Sequence, residues 1–244
     1  MATLENKRAF SGIVGNVVFR NYRGKPIVQS RPIQVKQTKA TQKSASEFGN
    51  CSRWAKQLRL GLTPFLVGQA DSAMYQRFTT VLYNAVKSNT ALPQGVRSPL
   101  NSDMALLQGF EFNTHSPFAT YFKPTINAQL TANKEVVLTL PDIDPTTDMV
   151  FPDGCTTAKL VVVVYATNFN DTTTPLMFHT LLPITKNTTL PAQQLLQTPP
   201  IPEGYLALAA AKLIYYTPNL LTESTSLNTK DFSPAMVLLA EAVL

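Results

Sequence analysis

Two periods of apolar residues divide the chain. Residues 17–22 and 26–35 alternate with period two, and Tyr22-Arg23-Gly24-Lys25 between them supplies a glycine for a tight turn, so a β-hairpin is predicted. On its second strand Ile27, Gln29, Arg31, Ile33 and Val35 share one face and Val28, Ser30, Pro32, Gln34 and Lys36 the other. Neither face is cleanly apolar, and a lone hairpin is marginal in water, so this one is expected to dock on its own body or on another chain. Pro26 and Pro32 have no N–H to give a ladder and suit an edge. Residues 1–11 show no clear period.

The period then lengthens. Phe48, Cys51, Ala55, Leu58 and Leu62 recur at helical spacing behind a capping-box sequence, Ser44-Ala45-Ser46-Glu47, and Gly61 and Pro64 end the run. A second helix is predicted over 72–88, with Asp71 as N-cap and Met74, Phe78, Val81, Leu82 and Ala85 inward. Pro93, Gly95, Pro99 and Gly109 mark 89–109 as a linker. From residue 110 onward strands are expected at 126–131, 136–140, 158–166, 176–182, 190–196, 205–216 and 235–243. The apolar middle of 158–166 belongs near a sheet centre. In 205–216 Leu206, Leu208, Ala210, Lys212 and Ile214 point one way if the segment is a strand, although its alanines also suit a helix. The fold class expected is mainly β with a small helical segment. A basic hairpin arm (1–36) precedes a helical pair and linker (37–109) and an antiparallel β-sandwich of the immunoglobulin or fibronectin III kind (110–244).

Composition sharpens this picture. The chain of 244 residues is 44% hydrophobic, enough for a sizeable core, but only 15% charged, against the usual quarter. Low charge fits a protein that covers its surface with partners, and equally a monomer with a Thr- and Asn-rich surface. The charge is uneven: residues 1–60 hold 12 Lys or Arg and 2 acidic residues, whereas 111–244 hold 6 and 11. The head and body of different copies can therefore attract one another, or the head can bind phosphates. Arg20, Arg23, Lys25, Arg31, Lys36, Lys39, Lys43, Arg53, Lys56 and Arg59 form the basic series, with Phe19, Tyr22 and Trp54 interleaved as stacking candidates. Strand addition through Val17, Phe19, Tyr22, Ile27, Ile33 and Val35 is the competing use of the same arm, and a merely solvated basic face is the third.

Motifs for chemistry are lacking. There is no phosphate loop, no G-x-G-x-x-G, no G-x-S-x-G and no H-E-x-x-H. His115 and His179 are expected to be structural. Cys51 and Cys155 form no C-x-x-C and are expected as buried free thiols rather than a disulfide or zinc site. Asp142, Asp144, Asp148 and Asp153 offer oxygens of the kind calcium prefers, but not at EF-hand spacing, and a solvated loop is the alternative. No cofactor and no small-molecule substrate is indicated. The longest apolar run, residues 160–166, is too short for a membrane span, and residues 2–8 lead into no apolar signal core. Synthesis in the cytoplasm is expected, with a final place in a virion or extracellular assembly.

The segment SGIVGNVVFRNYRGKPIVQSRPIQVKQTKATQKSASEFGNCSRWAKQLR resembles the N-terminal signature of a family of uncharacterised proteins from Bacteroidota and their mobile elements. In that family a glycine-rich start leads into a hairpin, a Lys/Thr/Ser-rich link and a helix ending A-x-x-L-R. Phe10-Ser11 stands where the family has a more Gly/Lys-rich lead. The resemblance implies no reaction and no catalytic residues. It implies a structural or interaction protein with a β-sandwich-like C-terminal part. The expected function is thus a non-enzymatic subunit that self-associates through its arm into a homo-oligomer, filament, tail or phage-like virion component. The alternative is a nucleic-acid-binding protein using the same basic residues.

Overall fold

The alternation that predicts a hairpin belongs to a larger sheet. In the computed structural model, which describes residues 2–5, 9–22, 25–31, 37–170, 173–219 and 223–244, four strands form an antiparallel sheet in chain order. They are β1 (Ala2–Glu5), β2 (Ala9–Val14), β3 (Val17–Tyr22) and β4 (Lys25–Ser30). The expected hairpin is its second half; β4 ends at Ser30, and residues 32–35 of the predicted strand lie outside the described residues. The extra pairing comes from β2, which opposes Val14 to Val17 across Gly15-Asn16. Gly15 has φ +56°, the conformation that a tight two-residue turn asks of its first residue. Gly12 within this strand and Gly15 just after it mask the alternation, since neither supplies a side chain.

Two compact units divide the chain, Met1–Gln42 and Lys43–Leu244. The second unit holds the helices together with the later strands, across the division expected at 109/110. Helix α1 (Lys39–Gly61) begins five residues before the predicted capping box, because the Thr38 hydroxyl accepts the Thr41 N–H at 3.2 Å. Ser44 instead donates to Gln94, and Glu47 turns inward, where its carboxylate accepts the Gly95 N–H at 2.9 Å. The buried stripe is thus Glu47, Cys51, Ala55 and Leu58, continued by Leu62, while Phe48 sits half-exposed against the edge of Tyr83. After a short helix, α2 (Thr63–Leu66), helix α3 (Met74–Ser88) starts just beyond Asp71, whose side chain accepts the Ala73 N–H as the expected cap would. The expected linker is ordered, with Met104 and Leu107 buried and Arg97 donating to the carbonyls of Leu92 and Lys87.

The body then adds α4 (Phe118–Tyr121), β5 (Asn127–Leu130), β6 (Val136–Leu140), α5 (Pro145–Asp148), β7 (Thr157–Thr167), β8 (Leu176–Thr185), β9 (Gln193–Gln197), β10 (Tyr205–Asn219), β11 (Glu223–Ser226) and β12 (Ala235–Val243). Each of the predicted strands appears, and 205–216 is a strand, lengthened to 219. β10 is central: β7 pairs along one edge, while β12 and then β11 pair along the other, and β8 extends the sheet beyond β7. β5, β6 and β9 make a second antiparallel sheet. Neither sheet closes into a barrel.

Period-two alternation explains the layers. Leu160, Val162 and Val164 of β7 and Ala209, Ala211 and Leu213 of β10 pack in one cluster with Val136, Leu138 and Leu140 of the second sheet. The opposite side chains, Val163, Tyr165, Leu206, Leu208 and Val237, pack with Cys51, Leu58, Phe78 and Leu82 of the two long helices. Both faces of the central strands are therefore covered, which is why 158–166 and 205–216 read as nearly continuous apolar runs. At Gly61 α1 lies directly against the sheet, since a Cβ there would overlap the Tyr165 ring.

Candidate functional site

The N-terminal sheet carries apolar residues on both faces among its described side chains. Its register places Val14, Val17, Phe19 and Val28 on one face, and Ile13, Val18, Arg20, Tyr22 and Ile27 on the other. None of the described side chains between 11 and 31 is buried; Val14 and Val28 are 56% and 62% exposed. The expected interface residues are thus split, Val17 and Phe19 to one face, Tyr22 and Ile27 to the other. Ile33 and Val35 lie outside the described residues. Arg31 N–H donates to Asn16 O at 2.6 Å, and antiparallel ladders alternate, so the main-chain groups of Val28 and Ser30 point away from β3 along an edge that no described strand pairs.

The basic series runs through this sheet and on along α1. Arg20, Lys25, Arg31, Lys39, Lys43, Arg53 and Lys56 are exposed and Arg59 is half-buried, while Arg23 and Lys36 lie outside the described residues. Among the described residues none of them forms an ion pair with a carboxylate; the two ion pairs present are Arg77–Asp71 and Lys134–Glu203. The Arg20 guanidinium lies 5.9 Å from the Tyr22 ring centre.

Lys56 and Arg59 line a cleft of about 410 Å³ together with Tyr75, Ser72, Asp71 and Lys230. Arg59 is held in place, its Nε donating to Ala55 O at 3.2 Å and its guanidinium lying 4.3 Å from the Tyr75 ring centre. Lys230 arrives from the loop before β12, where Asn113 Nδ2 donates to Lys230 O at 2.8 Å and to Gln69 O at 3.2 Å. Asp71 is already engaged: it accepts bonds from Arg77 Nη2 at 2.5 Å and from the Thr114 N–H at 3.0 Å. Burial pushes its carboxyl up, but the bonds from Thr114, Arg77 and Ala73 outweigh this and hold it below the usual carboxylate range. No sequence signal placed Lys230 beside Lys56 and Arg59, because nearly the whole helical and sheet core intervenes in the chain.

Other titratable groups are structural in their surroundings. Lys212, 1% exposed on the helix-facing side of β10, donates to Phe65 O at 3.2 Å, Leu66 O at 3.1 Å and Gln69 Oε1 at 2.7 Å, and burial lowers its pKa to about 8. Glu111 accepts the Phe118 N–H at 3.0 Å at the start of α4; burial raises its pKa to about 7 against the opposing effect of those N–H bonds and of Arg77. Cys51 and Cys155 are buried free thiols, and burial, with the Glu47 charge second, pushes the Cys51 thiol up to about 12.

Three carboxylates of the acidic loop accept backbone N–H groups, two within the loop and one from Ala192. Asp144 caps α5 by accepting the Thr146 N–H, Asp148 accepts the Asp144 N–H, and Asp142 accepts the Ala192 N–H. Among the described residues no group of three or more His, Cys, Asp or Glu gathers to hold a metal ion. His115 and His179 are both exposed, and neither imidazole bonds a Ser, Thr or Cys among the described residues. Among those residues no helix is long and apolar enough to cross a membrane. Set against models of known protein families, curated proteins and solved structures, the chain matches none.

Proposed function

We propose that the protein is a non-enzymatic structural subunit whose N-terminal sheet joins it to other copies of itself. The observation behind this reading is the four-stranded sheet with no buried side chain among those described from 11 to 31. A sheet needs at least one covered apolar face to be stable, and here both faces offer valines, isoleucines and aromatics. The outward main-chain groups of β4 add a template for another strand. Charge supplies the steering: Met1–Gln42 contains eight Lys or Arg and one acidic residue, Glu5, whereas residues 111–244 are net acidic.

Membership in the family that the N-terminal segment resembles, a place in a virion, tail or filament, and an immunoglobulin- or fibronectin-like reading of the paired sheets belong to the same proposal. The paired antiparallel sheets are compatible with the last; the helices over the outer face are an addition to it. Among the described residues the exposed cations from Arg20 to Lys56 form no ion pair with a carboxylate, which favours nucleic acid as the second reading.

The test is a comparison of the full chain with a variant lacking residues 1–36 and with Val14→Glu/Val28→Glu. Both valines are exposed, so the double variant is expected to fold as the parent does. Sedimentation should show assembly lost in both variants while the body keeps its cooperative unfolding. Assembly at parental levels in both would refute the proposal.

A further inference from the structure

We infer that the cleft between the end of α1 and the start of α3 is an anion site that takes the phosphate of a nucleotide. Lys56 and Arg59 come from one helix and Lys230 from a loop more than half the chain away, yet they line one cavity of about 410 Å³, within the range of small-molecule sites. A single segment's basic residues are usually a solvated face or a complement to a helix C-terminus, and Lys56 and Arg59 alone fit that description. Lys230 does not, because its backbone is tied across the cleft wall through Asn113 to Gln69. No ion pair neutralises any of the three among the described residues.

The one carboxylate in the lining, Asp71, is paired with Arg77 and bonded by the Thr114 and Ala73 amides, so it competes little for the cations. Arg59 is fixed at Nε by Ala55 O and backed by the Tyr75 ring, and among the described residues neither terminal amino group is hydrogen-bonded, which leaves both for a forked contact with phosphate oxygens. Ser72 and Tyr75 add hydroxyls, and Leu60, Leu66 and Met74 give an apolar side that suits the base and sugar better than water. A bare inorganic anion would leave that side unused.

The phosphate could belong to a free nucleotide or to a nucleic-acid strand, and two arms of one calorimetric titration of the full chain at low salt separate them. AMP is titrated first, with adenosine as the phosphate-free control, and then a single-stranded 12-mer. Wild type should bind AMP at one site and adenosine not at all. Arg59→Ala and Lys230→Ala should each weaken AMP about tenfold, and Lys186→Ala, outside the cleft, should leave it unchanged. Binding of the oligonucleotide alone, lost in the two cleft variants, assigns the phosphate to a nucleic-acid strand and keeps the anion site. Binding of neither ligand, or binding that ignores Arg59→Ala and Lys230→Ala while their melting temperatures match the parent, overturns the inference. The result is independent of self-association, which the N-terminal variants test separately.

Discussion

Lys212 offers the sharpest test of the body's packing. Its ammonium sits in the layer between the central sheet and the helices, with three oxygen acceptors and no carboxylate. Burial lowers its pKa from 10.5 to about 8. Because the folded value lies below the unfolded one, the folded protein sheds this proton first as pH rises. Between about pH 8 and 10.5 the unfolded state holds more protons, so stability increases with pH through that window. A shift of this size corresponds to about 3 kcal/mol in full. Tyr165, Tyr215 and both cysteines have pKa values raised by burial and act in the opposite sense at alkaline pH, so the parent alone does not isolate the effect. Lys212→Met keeps the length of the side chain and removes the titration. Urea denaturation of both proteins at half-unit steps from pH 7 to 10 should show their stability difference moving in the parent's favour by about 2–3 kcal/mol. A difference that stays flat over that range would mean the ammonium is solvated, and the buried geometry of Lys212 would be refuted.

Two further substitutions probe the same body. Gly61→Ala places a methyl against the Tyr165 ring and should cost about 1–3 kcal/mol in denaturant unfolding, as overpacking does; an unchanged midpoint would show that α1 is free to move outward. Glu111 has a folded pKa raised to about 7 from 4.5, so the parent should lose stability as pH rises from about 4.5 to 7. Glu111→Gln should remove that slope, and an identical pH profile in parent and variant would show that the carboxyl is not desolvated.

The strands of the body were legible because β-branched and aromatic alternation there is punctuated by Pro, Asn and Asp. The 136–140 and 235–243 segments match residue for residue. What escaped the sequence was set by contacts between distant segments. Glu47 reads as a capping residue, yet Gly95, far along the chain, supplies the N–H that draws it into the core. The start of α1 was misplaced because Thr38 and Ser44 are equally good caps locally, and only the fold selects between them. β2 is hidden by Gly12 within it and Gly15 just after it. Lys212 is in plain view as the polar member of an otherwise apolar strand face, but two of its three partners are the backbone carbonyls of Phe65 and Leu66, which no side-chain pattern encodes. The cleft was half legible, through Lys56 and Arg59, and Lys230 was not.

The N-terminal sheet is proposed to be completed by other copies of the chain. Light scattering of the full-length protein at low and high salt measures this directly. The account predicts a defined particle of many chain masses, smaller or more dissociated at high salt because the basic sheet and the acidic body attract one another less when screened. A monomer of 26.8 kDa at both salt concentrations would contradict it.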